Sequence, residues 1–115
     1  MTIRDVMEIT GARSLTGEDG LERTVTGGYA GDLLSRVMAQ GAAGMAWITV
    51  QTHMNAVAVA VFTGAVCMIV AEDRTVAAEV AAKAEEEGVA LLASPKTAYE
   101  LAGLLYAGGL REIRR

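Results

Sequence analysis

The stretch Ala65-Val66-Cys67-Met68-Ile69-Val70-Ala71-Glu72-Asp73-Arg74-Thr75 decides how the rest of the chain is read. Its first six residues are a continuous apolar run, the pattern of a central parallel strand covered on both faces. The charged cluster that follows opens the clearest helical pattern in the chain, Val76 to Glu87, with Val76, Ala77, Val80, Ala81 and Ala84 as its apolar stripe. Glu79 and Lys83 stand four apart on its wet side and are expected to pair, and Gly88 is a natural terminator. Val89 to Ala93 is the next strand. Ser94-Pro95 leads into a helix from about Thr97 to Tyr106, closed by Gly108-Gly109.

The same unit extends upstream. Met45 to Val50 is a strong strand that ends in Gln51-Thr52-His53-Met54-Asn55. Asn55 to Phe62 alternates Ala and Val and is readable as strand, but it must connect two strands without a hairpin turn, and Gly64 suits a C-cap. A helix is therefore expected. Farther back, Glu22 to Thr26 alternates and is read as a strand that Gly27-Gly28 break in a tight turn. A helix from about Asp32 to Gln40 follows, with Leu33, Leu34, Val37 and Met38 on one face. At the start, Thr2 caps a helix Ile3 to Ile9 with Asp5 near its positive end, Gly11 ends it, and Ala12 to Leu15 forms a short strand. Strand–helix–strand connections of this length imply parallel strands with right-handed crossovers. The expected architecture is α/β: one domain over residues 1–115, a small open, mainly parallel sheet of four or five strands with helices on its faces.

Composition narrows the function. Hydrophobic residues make up 52% of the chain, enough for a core and, in 115 residues, a reason to expect self-association. The net charge of −4, with no basic stretch carrying interleaved aromatics, argues against nucleic acid. Arg111, Arg114 and Arg115 are interrupted by Glu112 and read as a solvated chain end. The single cysteine, Cys67, lies in an apolar run, reads as an inert thiol and fits a reducing cytoplasm. No apolar leader follows Met1. The uncharged run Ala56 to Ala71 is shorter than a spanning helix needs and is divided by Thr63-Gly64. Neither a membrane nor a cofactor is expected.

Ligands of open parallel sheets bind beyond the carboxyl ends of the strands. That rule singles out Thr26, Gly27, Gly28, Asp32, Gln51, Thr52, His53, Asn55, Ser94 and Thr97 as candidate ligand-binding residues. Thr52, His53 and Asn55 can equally be helix caps, and Glu72, Asp73 and Arg74 a solvated helix start. There is no dinucleotide or P-loop glycine pattern. A lone histidine without an adjacent nucleophile is weak ground for catalysis, although His53 could serve as an acid or base. One His and one Cys do not make a metal site.

Three segments carry a family resemblance. Gly27-Gly28-Tyr29-Ala30-Gly31-Asp32-Leu33-Leu34-Ser35-Arg36-Val37-Met38 resembles the opening motif of DRTGG-domain proteins. Trp47 to Asn55 resembles the next strand-to-helix passage of small bacterial members, and Leu91 to Gly103 the last strand and helix. The resemblance implies an α/β domain related to the N-terminal region of HPr kinase/phosphorylase, used as an accessory dimerisation or regulatory part. The expectation is a non-catalytic homodimeric module, with a sensor of a small anionic metabolite or nucleotide, or docking to a partner protein, as alternatives. Where many relatives place a glycine-rich turn, this chain has Ala71-Glu72-Asp73-Arg74-Thr75.

Overall fold

The computed structural model describes residues 1–114. Among these residues five strands form one sheet: β1 (Arg13–Ser14), β2 (Gly27–Ala30), β3 (Met45–Thr49), β4 (Cys67–Val70) and β5 (Ala90–Ala93). Their order is β1-β5-β4-β3-β2. β2 to β5 run parallel, and β1 pairs antiparallel with β5. The helices are α1 (Ile3–Thr10), α2 (Leu34–Gln40), α3 (Met54–Thr63), α4 (Ala78–Glu86) and α5 (Ala98–Ala107). The expected α/β architecture is therefore the observed one.

The core divides at the sheet. Ala46, Ile48, Cys67, Ile69, Ala90 and Leu92 point toward α1 and α5. Met45, Trp47, Met68, Val70 and Leu91 point toward α2, α3 and α4. β3, β4 and β5 are buried at every residue, which is why they read as unbroken apolar runs. Each large side chain so buried stabilises the fold by about 1.5–3 kcal/mol. Trp47, the largest, also satisfies its indole N–H on the Gly31 carbonyl at 2.8 Å.

Local chemistry sets the helix ends. Thr2 and Asp5 form a reciprocal capping box on α1. Hydrogen bonds from the Thr2 backbone N–H and hydroxyl side hold the Asp5 carboxyl below its ordinary range. Gly11 and Gly64 take left-handed conformations at the C-caps of α1 and α3.

Several expectations are overturned. Glu22–Thr26 is not a sheet strand. It wraps the N-terminus instead: Ile3 N–H donates to Arg23 O, Arg4 N–H to Leu21 O, and Val25 N–H to Met1 O. Its alternating pattern reflects burial of Leu21 and Val25 against α1, not pairing within the sheet. Gly27-Gly28 is not a turn but the first half of β2. In α2 only Val37 is fully buried, and Leu33 and Met38 are 65% and 40% exposed. Lys83 pairs with Glu86 and Glu87, not Glu79, because its chain reaches toward the helix C-terminus.

The chain end is the largest surprise. Arg111 and Arg114 do expose their side chains, and Arg115 lies outside the described residues. The backbone between them is not solvated. Gly28 N–H donates to Arg111 O at 2.9 Å and Ile113 N–H to Gly28 O at 2.8 Å, so the tail runs parallel along the outer edge of β2. Gly27 makes this approach sterically feasible, since a Cβ there would lie 2.6 Å from Ile113 Cα. Gly27→Ala should therefore destabilise the fold by about 1–3 kcal/mol in urea unfolding. Gly103→Ala, in α5 where a Cβ would meet nothing, should stabilise it by up to about 1 kcal/mol. Equal effects at the two glycines would contradict the close approach.

Candidate functional site

Because β2 to β5 are parallel, the loops that leave their carboxyl ends share one rim. Residues 50–53 leave β3 there, residues 71–77 leave β4, and residues 94–97 leave β5. Asp32, just beyond β2, ties the first of these down. Its Oδ1 accepts from Thr49 Oγ1 and from Val50 N–H, both at 2.8 Å, while its own carbonyl accepts from Gln51 Nε2. Hydrogen bonds to a carboxylate are among the strong ones, so Asp32 orders this corner.

The β4–α4 loop is tied in the same way. Glu72 N–H donates to Lys96 O and Asp73 N–H to Ser94 O. To do so both residues adopt left-handed backbone, with φ of 65° and 57°. Such a conformation costs a non-glycine residue roughly 1–2 kcal/mol, which the two hydrogen bonds offset. This is the position of the departure from a glycine-rich turn. α4 begins only at Ala78, so Glu72, Asp73 and Arg74 are loop residues and not its first turn. Ser94 is fully buried, and its hydroxyl accepts from Lys96 N–H. Lys96 reaches back to the Thr10 carbonyl. Thr97 caps α5 by accepting from Glu100 N–H at 3.2 Å.

Among the candidate residues, Asp32, Gln51, Thr52, His53, Asn55, Ser94 and Thr97 thus come to one rim. Asp32, Gln51, Ser94 and Thr97 are engaged in holding loops and a helix end. His53 is the N-cap of α3, yet its side chain makes no capping hydrogen bond. With the exposed Asn55 and half-buried Thr52 it forms the less committed part of the rim. Thr26, Gly27 and Gly28 do not join them. Thr26 sits at the opposite edge, where its N–H donates to Gly44 O, and Gly27 pairs with Met45 at the start of β3.

Cys67 is fully buried, and burial pushes its thiol up to about 12, despite an opposing pull from Arg23. It is protonated at neutral pH and unsuited to nucleophilic chemistry. Among the described residues no group of three or more His, Cys, Asp or Glu is arranged to hold a metal ion. Nor, among the described residues, is any helix long and apolar enough to cross a membrane.

Two surface features escape the strand-end rule. One is the outer side of α3, where Met54, Val61 and Phe62 are 42%, 41% and 72% exposed. Its signal in the sequence is a helix without a single charge. The other is a cavity of about 240 Å³ between β2, α5 and the tail, lined among others by Gly28, Ile48, Ala102, Leu105, Tyr106 and Arg111. No periodicity announces it, because it depends on the tail's return to β2.

The fold belongs to the class of open α/β sheets with a mainly parallel core. No family model matches the sequence, and no curated protein matches it. A solved structure does share the fold: the CBS and DRTGG domains of the regulatory region of Clostridium perfringens pyrophosphatase, complexed with the activator diadenosine tetraphosphate. The TM-score is 0.71 at 14% identity, over 90% of this chain and 45% of that one. At this identity the likeness is one of fold, and this chain spans less than half the length of its neighbour.

Proposed function

We propose that the chain is a non-catalytic regulatory module of the DRTGG type that works as a homodimer. The fold shared with a pyrophosphatase regulatory region supports the regulatory part. One observation carries the pairing. α3 has no charged residue; Ala56, Val57, Val59 and Ala60 fill the core, while Met54, Val61 and Phe62 face outward. Between Asn55 in its first turn and Thr63 at its end α3 is apolar on every side, and such a helix is ordinarily covered. Leu33 and Met38, beside and on the neighbouring α2, add to the exposed apolar surface on the same side of the sheet. An isologous interface takes roughly 800 Å² from each partner, a modest share of the 5855 Å² that the chain exposes. A second copy supplies the same apolar helix.

Light scattering across a dilution series tests this. The wild type should run as a dimer, and a Val61→Lys, Phe62→Lys double variant as a folded monomer with unchanged far-UV circular dichroism. A wild type that stays monomeric at high concentration would refute the pairing.

A second reading is a small-ligand sensor at the carboxyl rim. It is favoured by the uncommitted Thr52, His53 and Asn55, and by the nucleotide activator on the structural neighbour. Binding to the native state alone raises stability by about 2.7 kcal/mol at a hundredfold excess over Kd. A melting-temperature rise with diadenosine tetraphosphate or ATP that His53→Ala removes would support it. No rise with either nucleotide would end it.

A further inference from the structure

The cavity beside β2 has a definite chemistry. Its floor is apolar: Ile48 from β3, Ala102 and Leu105 from α5, and Leu110 from the tail. β2 lines it with Gly28, Tyr29 and Ala30, and the small residues Gly28 and Ala30, with Ala102 on α5, leave the space open. Two residues of opposite charge, the consecutive Arg111 and Glu112, also line it. Arg111 is preorganised. Its guanidinium lies 4.3 Å from the centre of the Tyr106 ring and donates one N–H to the Tyr106 carbonyl at 2.9 Å. That leaves most of its five donors unused by this bond. No ion pair joins Arg111 to Glu112 among the described residues, and Glu112 is exposed.

An apolar floor under one cation and one anion matches a ligand with an apolar side chain and both charges on neighbouring atoms. We propose that this cavity is a binding site for a free α-amino acid with an apolar or aromatic side chain. The carboxylate meets the Arg111 guanidinium, the ammonium meets the Glu112 carboxylate, and the side chain enters between β2 and α5. The volume of about 240 Å³ lies just below the usual range for ligand sites and limits the occupant to one small molecule. The site is distinct from the carboxyl rim and from the outer side of α3, so it stands independently of both readings above.

The test is an amide chemical-shift titration of the whole protein with three probes: L-phenylalanine, 3-phenylpropionate, which lacks the ammonium, and phenethylamine, which lacks the carboxylate. L-Phenylalanine should saturate shifts at Gly28, Ala30, Ala102 and Arg111. Each single-charge probe should bind roughly tenfold more weakly, as expected for one lost charge-assisted contact. Arg111→Gln should weaken L-phenylalanine but not phenethylamine, and Glu112→Gln should weaken L-phenylalanine but not 3-phenylpropionate. Ala102→Leu, which fills the floor, should abolish binding while resonances of β4 and β5 and the oligomeric state stay unchanged. The absence of saturable shifts, shifts confined to α3 or the rim, or equal affinity for all three probes would overturn the site.

Discussion

The backbone pairing between Gly28 and the segment 111–113 governs much of what this molecule presents to its surroundings. Without it β2 would be an open edge, with unpaired N–H and C=O groups available to any passing strand. With it the edge is capped by the chain's own tail, Leu110 and Ile113 are drawn into the two halves of the core, and Arg111 is fixed above Tyr106. The condition for this pairing is the missing side chain at Gly27. At the far edge β1 is only two residues long, which limits what can pair there.

The two faces of the sheet are covered unequally. α2, α3 and α4 cover one face and α1 and α5 the other. On the three-helix face, α3 buries one side in the core and leaves Met54, Val61 and Phe62 exposed on the other. On the two-helix face, the cover is thin over β2, and a cavity lined in part by Arg111 and Glu112 results. The carboxyl rim lies between these surfaces and is largely spent on its own loops.

Much of the architecture was legible in the sequence. Met45–Val50, Ala65–Val70 and Val89–Ala93 are apolar because both faces of their strands are buried, and the helices after them end at glycines or are capped by polar residues. The rim followed from parallel strands alone, which is why Gln51–His53 and Ser94–Thr97 were expected together and are found together. Three of the errors share one cause. Glu22–Thr26 alternates like a strand, but its partner is the N-terminus, and a local pattern cannot name its partner. Gly27-Gly28 looks like a turn because glycine usually serves turns, whereas here it admits a distant backbone. The tail looks solvated because the side chains of Arg111, Glu112 and Arg114 are, while its main chain is paired and Ile113 is buried. In each case the deciding contact joins residues far apart in the chain, so neither propensity nor periodicity records it. Glu72 and Asp73 show the converse: unfavourable residues for left-handed backbone, held there by tertiary hydrogen bonds to Lys96 and Ser94.

The edge closure can be measured directly by native-state amide hydrogen exchange. If the tail is a docked strand, the Gly28 and Ile113 amides exchange slowly and together, with protection approaching that of β3 and β4. Rapid exchange at both positions, at the rate of an unstructured chain end, would mean that β2 is an open edge and that the cavity beside it does not persist.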